Sequence, residues 1–270
     1  MTIAELAEDR VVEAVVAVRT KRKLRTKAGA PYLALELVDR TGRIEARVWN
    51  DVELLDGRFV EGDAVRVLGR VEKFRDRLQL DVRSLEAADV DPASLTPAMR
   101  RDPEELAGFL DFLVSEIAHP GLAGTVRNVL GDRELGAYPA TPDDHHSYAG
   151  GLLEHTVGVA TLCRETSQLH PRLRGDLVLA AALVHDVGRT LELGRGPAFA
   201  VTEEGRLLGH VHLGVRLIEL SVEGLTAAQL AELVHCVAVH HDARGARTAE
   251  AAALYHANQL DAVAATRRVD

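Results

Sequence analysis

The stretch Ala180-Ala-Ala-Leu-Val-His-Asp-Val-Gly-Arg189 constrains this chain more than any other. It predicts a small apolar helix from about Asp176 to Val184. That helix delivers an imidazole, His185, and a carboxylate, Asp186, side by side at its C-terminal end. Gly188 is expected to end the helix as a left-handed C-cap residue. Adjacent His and Asp at a helix end can both ligate one divalent cation. A lone His-Asp pair arises by chance in many chains, so its company decides the reading. Here the company is His155 upstream, His210, His240 and His241 downstream, and Asn258 and Asp261 on the last helix.

These residues fall in five stretches: HHSYAGGLLEHT from His145, HDVGR from His185, EGRLLGHVHLG from Glu204, HCVAVHHD from His235 and HANQLDA from His256. Each candidate ligand lies on or at the end of a separate predicted helix, which is how a helical bundle builds a metal site in its core. Imidazole with carboxylate suits manganese, iron, cobalt or zinc and does not by itself choose among them. Two ions about 3.5–4 Å apart could share Asp186 and hold a hydroxide between them. Arg189 adds a cation three residues on from Asp186. His119, His170, His212, His235 and His256 are expected to be packed, surface or supporting histidines. His145 and His146 are open between substrate contact and structural hydrogen bonding.

Residues 11–88 carry a different pattern. Arg43-Ile-Glu-Ala-Arg-Val-Trp-Asn50 alternates strictly, with Ile44, Ala46 and Val48 on one face and Glu45, Arg47 and Trp49 on the other. Pro31–Val38 precedes it across the turn Asp39–Gly42, and Val11–Val18, Ala64–Val71 and Leu78–Val82 complete about five strands. Gly62-Asp63 and Arg75-Asp76 are expected turns. Five short strands suggest a small closed barrel, of which the OB fold is an example. The connection Arg19–Lys27 is expected to be a loop; it carries six cations and no acid. Lys21, Arg22, Lys23, Arg25 and Lys27 are candidates for phosphate contact there, with Tyr32 and Trp49 as candidate base-stacking aromatics. The bland alternative is a solvated hairpin with both aromatics partly in the core.

Three prolines between Val90 and Pro103 read as a linker, and Asp102-Pro103 then opens a helix as N-cap and first-turn pair. Thr226-Ala-Ala-Gln229 is a capping box opening the helix that ends at His240-His241. Basic and acidic residues balance in residues 1–90, so the whole net charge of −9 lies in residues 91–270, where all 12 histidines also lie. An acidic, His-rich half suits cation binding and opposes unassisted binding of polyanions. Cys163 and Cys236, the only two cysteines, read as small core residues. Met1–Arg10 is acidic and polar, so no secretory leader is expected, and no apolar run suits a membrane span.

The phrases PYLALELVDRTGRIEARVWND and EGDAVRVLGRVEKFRDRLQLDV resemble OB domains of the anticodon-binding type. The ordered GGLLEHT, HD-x-G, LLGH and VHH elements resemble the HD superfamily of metal-dependent phosphohydrolases. Together they make the chain similar to the YhaM-type 3′–5′ exoribonucleases. That resemblance implies a multidomain chain: an all-β OB barrel over residues 1–89, a linker over 90–103 and an all-α HD-domain helical bundle over 104–270. It implies metal ligands at His155, His185, Asp186, His210, His240 and His241, with Asn258 where the superfamily has Asp. Asp261, three residues on, could restore the missing charge if it reaches inward. Arg189 stands where the family usually has Lys. The implied cofactor is a divalent metal, two ions, with manganese first and iron, cobalt or zinc as alternatives.

The implied function is metal-dependent 3′–5′ exonuclease action on single-stranded RNA, with DNA as a second polymer. The rivals are an HD phosphohydrolase acting on mononucleotides or cyclic nucleotides, and a catalytically decayed RNA-binding protein. The expected setting is the cytoplasm, without a membrane partner, and the reading leaves room for a homo-oligomer.

Overall fold

The structure, a computed structural model, describes residues 1–97, 99, 101–131, 133–142 and 144–266. Arg100 of the expected linker and Asp270 at the expected domain end lie outside them. The chain divides into two compact units, Met1–Ala98 with Gly194–Ala200, and Met99–Leu193 with Val201–Asp270.

The first unit is a closed barrel of β1 (Val11–Arg25), β2 (Pro31–Asp39), β3 (Gly42–Val48), β4 (Ala64–Phe74) and β5 (Arg77–Ala87), in the order β1-β2-β3-β5-β4. Neighbouring strands are antiparallel except β3 and β5. The alternation seen in the sequence is the barrel's inside and outside. Leu33, Leu35, Leu37, Ile44, Ala46 and Val48 are buried, while Tyr32, Ala34, Glu36, Arg47 and Trp49 lie on the other face. At the expected turn between β2 and β3, Asp39 Oδ1 accepts from the Thr41 and Gly42 amides and the Thr41 hydroxyl. Arg75 and Asp76 both adopt positive φ (49° and 64°), which makes the expected tight hairpin turn. In the same unit, Leu95 of the expected linker is buried with Ala17 and Ala198.

The expected loop at Arg19–Lys27 is corrected by the structure. β1 continues to Arg25, pairing through Arg25↔Pro31, and the turn proper is only residues 26–30. The strand persists because Lys21 and Lys23 find partners on a short helix, α1 (Val52–Asp56), that alternation could not foretell. Lys21 Nζ meets Asp56 Oδ1 at 3.0 Å, donates to the Asp56 and Phe59 carbonyls, and sits 4.3 Å above the Phe59 ring. Lys23 Nζ pairs with Glu53 and with Asp56 Oδ2 at 3.3 Å.

The second unit is helical: α2 (Pro103–Ser115), α3 (Pro120–Leu130), α4 (Gly151–Leu169), α5 (Gly175–Val184), α6 (Arg189–Glu192), α7 (Glu203–Leu220), α8 (Ala227–Ala238) and α9 (Ala249–Thr266). Asp102 accepts from the Glu104 amide at 2.8 Å with Pro103 in the first turn, and Thr226 with Gln229 forms the expected capping box. α5 is buried on every side from Leu177 to Val184, so it has no polar face and belongs in the middle of the bundle. α3, α4, α8 and α9 pack around it. Cys163 and Cys236 are free and buried. Among the described residues no helix is long and apolar enough to cross a membrane.

Gly188 is not the left-handed cap the sequence suggests. Its φ of −61° and ψ of −17° are right-handed. A Cβ there would stand 1.9 Å from the His210 carbonyl oxygen, so the residue is glycine because α7 passes against it. A true left-handed break occurs inside α7, at Gly209 (φ 70°, ψ 159°).

Candidate metal centre and nucleic-acid face

His155 comes from the first half of α4, His185 and Asp186 from the residues just after α5, His210 from α7 beyond its break, and His240 and His241 from the residues just after α8. His155, His185, Asp186 and His240 are buried, His210 is half-buried and His241 is exposed. Three groups of possible ligand atoms result: His155, His185 and Asp186; Asp186, His210, His240 and His241; and His146, His155 and Asp261. Asp186 belongs to the first two. Its Oδ2 stands 3.8 Å from both His155 Nε2 and His185 Nε2, and its Oδ1 stands 3.2 Å from His210 Nε2 and 3.3 Å from His240 Nε2.

Hydrogen bonds behind the rings fix which nitrogen faces the centre. His185 Nδ1 donates to the Ala182 carbonyl at 2.8 Å, and His240 Nδ1 donates to Val237 at 2.6 Å. His155 Nδ1 donates to Asp261 Oδ2 at 2.7 Å. In these tautomers each Nε2 carries a lone pair. His155 Nε2 and His185 Nε2 are then two acceptors 3.2 Å apart. His240 Nε2 and Asp186 Oδ1, also two acceptors, are buried without a hydrogen-bond partner. Facing, unsatisfied acceptors in a dry core are costly unless a cation lies between them. The donor set therefore fits a divalent metal.

The electrostatics agree. Burial pushes the His185 imidazole down to about 3 and the His241 imidazole to about 4, so both rings stay neutral and available as ligands. Burial alone would raise the Asp186 carboxyl, but the charges around it, the Arg189 guanidinium among them, hold it well below the ordinary carboxylate range.

Arg189 Nε lies 3.8 Å from Asp186 Oδ2 with no hydrogen-bond partner, and its Nη1 donates to Glu192 Oε2 at 2.6 Å. Glu192 escaped the sequence reading, although its spacing from Arg189 is that of a helical ion pair. Its Oε1 also accepts from the His210 amide at 3.2 Å, at the first residue after the α7 break. One carboxylate thus holds both the arginine and the helix that carries His210.

Asn258 is buried, and its Nδ2 donates to the His240 carbonyl at 3.3 Å. Asp261 approaches His155 at the ring nitrogen that faces away from Asp186. It engages the outer nitrogen of His155 and, through the same Oδ2, His146 Nε2 at 3.0 Å. The His145 ring packs 4.9 Å from that of His155, and its Nδ1, 3.7 Å from Asp144 Oδ2, has no hydrogen-bond partner. His119 caps α3, and His235 Nε2 accepts from the Arg247 amide. His170, His212 and His256 are exposed.

On the barrel, Tyr32 and Trp49 stack on each other with ring centroids 4.8 Å apart, and Trp49 is 46 % exposed. Register puts Arg22, Ala34 and Arg47 in the next row of the same outer face. A groove of about 460 Å³ beside it is lined by Glu45, Arg47, Phe74, Arg75, Arg77, Leu78 and Gln79, with Arg47 Nη2 2.9 Å from Glu45 Oε2. In the sequence Arg75-Asp76 marks only a turn, so the share of the β4–β5 hairpin in that groove is not legible there. Lys21 and Lys23 are committed to α1, and Arg25 Nη1 donates to the Gly29 carbonyl within its own hairpin. Arg22 and Lys27 are exposed and make no ion pair among the described residues.

Comparison with known proteins agrees with both halves. The OB-fold nucleic acid binding domain family matches residues 12–88, and the HD domain family matches residues 152–263. The 3′-5′ exoribonuclease YhaM of Oceanobacillus iheyensis is 31% identical, over 80% of this chain and 71% of that protein. The protein of the same name from Geobacillus sp. strain WCH70 is 30% identical, over 87% of this chain and 76% of its own length. An OB domain and an HD domain in one chain, aligned with these relatives over most of both lengths, place this protein in the YhaM family.

Proposed function

We propose that this chain is a divalent-metal-dependent 3′–5′ exonuclease that hydrolyses the phosphodiester bonds of single-stranded RNA, with single-stranded DNA as a second substrate. The observation that carries the reading is the convergence of ligand atoms on Asp186, whose two oxygens face two separate sets of imidazoles. The names of the two relatives support the polarity and the polymer. Two ions fit the two sets, with manganese first and iron, cobalt or zinc as alternatives. When bound, the metal supplies Lewis-acid polarisation of a phosphoryl oxygen and a nucleophilic water at neutral pH.

The chain's own residues do the rest. Asp186 presents one oxygen to each set; His155, His185 and His240 hold their Nε2 lone pairs toward the centre, His210 Nε2 stands 3.2 Å from Asp186 Oδ1, and His241 Nε2 lies 3.0 Å from His210 Nε2. Arg189, held by Glu192, keeps positive charge beside the carboxylate, where a phosphate would lie. On the barrel, the Tyr32–Trp49 pair offers a stacking surface for unpaired bases, with Arg22, Lys27, Arg75 and Arg77 positioned for phosphates. Stacking of that kind requires exposed bases, which favours a single strand over a duplex. The proposed setting is the cytoplasm.

The test is a time course on 3′- and 5′-end-labelled single-stranded RNA in Mn²⁺, with Asp186→Ala beside the wild type. The expected result is shortening from the 3′ end by the wild type only, with RNA binding retained by the variant. Metal-dependent hydrolysis persisting in purified Asp186→Ala would overturn the assignment. Faster turnover of free nucleotides than of RNA would favour the mononucleotide reading.

A further inference from the structure

We propose that Asp261 is a positioning residue for the metal centre, acting from behind His155 rather than as a ligand; the inference rests on the metal-centre reading above. The two nitrogens of an imidazole point in divergent directions. His155 turns Nε2 toward His185 Nε2 (3.2 Å) and Asp186 Oδ2 (3.8 Å), and Nδ1 toward Asp261 Oδ2 (2.7 Å). A carboxylate on Nδ1 requires a proton there. It thereby fixes the tautomer whose Nε2 lone pair faces the metal, and raises the basicity of that lone pair.

Asp261 is itself held on several sides. Its Oδ2 also meets His146 Nε2 at 3.0 Å. His146 Nδ1 lies 2.8 Å from the Tyr148 hydroxyl, which donates to Glu154 Oε2 at 2.7 Å. The chain of contacts His155–Asp261–His146–Tyr148–Glu154 ties α9 to the start of α4 and to the segment before it. Gly158 supplies the space. It lies one turn along α4 from His155, and a Cβ at that position would stand 2.2 Å from Asp261 Oδ1. The carboxylate therefore lies directly against the α4 backbone, where a larger residue would evict it.

Together these contacts explain how a site with Asn258 in place of an acid keeps a strong histidine ligand. The negative charge has not moved into the ligand set. It sits one bond further out, where it strengthens His155 without adding a ligand.

The test uses the full chain, stripped of metal, with Mn²⁺ affinity read by titration and the His155 tautomer read by two-bond ¹H–¹⁵N correlation on ¹⁵N-histidine-labelled protein. Asp261→Ala is expected to weaken Mn²⁺ binding about 10- to 100-fold and to leave His155 as a tautomer mixture. Asp261→Asn, which keeps an acceptor, should keep the Nδ1–H tautomer and lose less affinity. Gly158→Ala removes no polar group, yet should resemble Asp261→Ala in both readouts. Should Asp261→Ala lose its fold by circular dichroism, Asp261→Asn and Gly158→Ala carry the same comparison. Wild-type affinity and tautomer in both Asp261→Ala and Gly158→Ala would overturn the proposal. So would an equal loss of affinity in Asp261→Ala and Asp261→Asn with the tautomer intact, which marks a direct ligand. A wild-type chain that takes up no Mn²⁺ overturns the metal-centre reading and this inference with it, an outcome distinct from a wild type that binds and variants that do not differ.

Discussion

At position 258, where the resemblance to the HD superfamily implies a carboxylate, the chain has an amide, and that amide makes a contact of its own. Its Nδ2 donates to the His240 carbonyl at 3.3 Å in a buried setting. A carboxylate in that place sets acceptor against acceptor and leaves the carbonyl without its donor, a cost of about 1–3 kcal/mol in the absence of metal. A bound cation reverses the sign, because it interacts with a charge the amide lacks. Asn258→Asp is therefore expected to melt lower than wild type in EDTA and to gain more from Mn²⁺. Scanning calorimetry with and without metal checks both halves; an unchanged metal-free melt would mean that the new side chain turns away from His240. The convergence of His155, His185, His210, His240 and His241 on Asp186 was legible in the sequence, because metal ligation demands particular residue types on successive helices. Glu192 and the true place of Asp261 were not, because an acid that orients another side chain has no motif of its own. Only the fold shows which nitrogen of His155 Asp261 touches.

Among the elements, the break in α7 has the clearest physical signature. Gly209 has φ 70° and ψ 159°, a region essentially closed to other residues, while a Cβ built there meets nothing within 4 Å. The need for glycine is conformational alone, and Gly209→Ala should cost about 1–3 kcal/mol. The residue after the break is His210, whose amide bonds to Glu192. The same variant should therefore bind Mn²⁺ more weakly than its stability loss explains. Denaturant midpoints beside metal titrations separate the two effects, and a destabilised variant with intact affinity would show that the break does not aim His210. The sequence could not announce this break, since LLGHVHLG reads as continuous helix. β1 failed for the opposite reason. Its second half buries no continuous apolar row, so nothing in its alternation marks Lys21–Arg25 as strand, whereas the inward rows of β2 and β3 were plain. The two cations that hold it in place act through α1, a helix too short to leave a periodic trace.

Taken as a whole, the molecule keeps its negative charge in residues 91–270 and leaves residues 1–90 balanced. Recruitment of a polyanion should then fall to the exposed cations of the barrel. Replacing Arg22, Arg75 and Arg77 by Gln should flatten the salt dependence of single-stranded RNA binding by about 0.7 log unit per lost phosphate contact. Replacing Lys21 by Met should instead lower barrel stability and leave the slope alone, because that ammonium is already spent on Asp56 and Phe59. Fluorescence anisotropy over a range of salt concentrations distinguishes the two; a slope that follows Lys21 would relocate the contact surface. The centre, for its part, is assembled from distant parts of the chain: His155 and the carboxylate behind it are 106 residues apart. A ribosome makes His155 and the His185–Asp186 pair well before His240, His241 and Asp261. The growing polypeptide therefore passes through a long interval in which its first ligands exist and its centre does not.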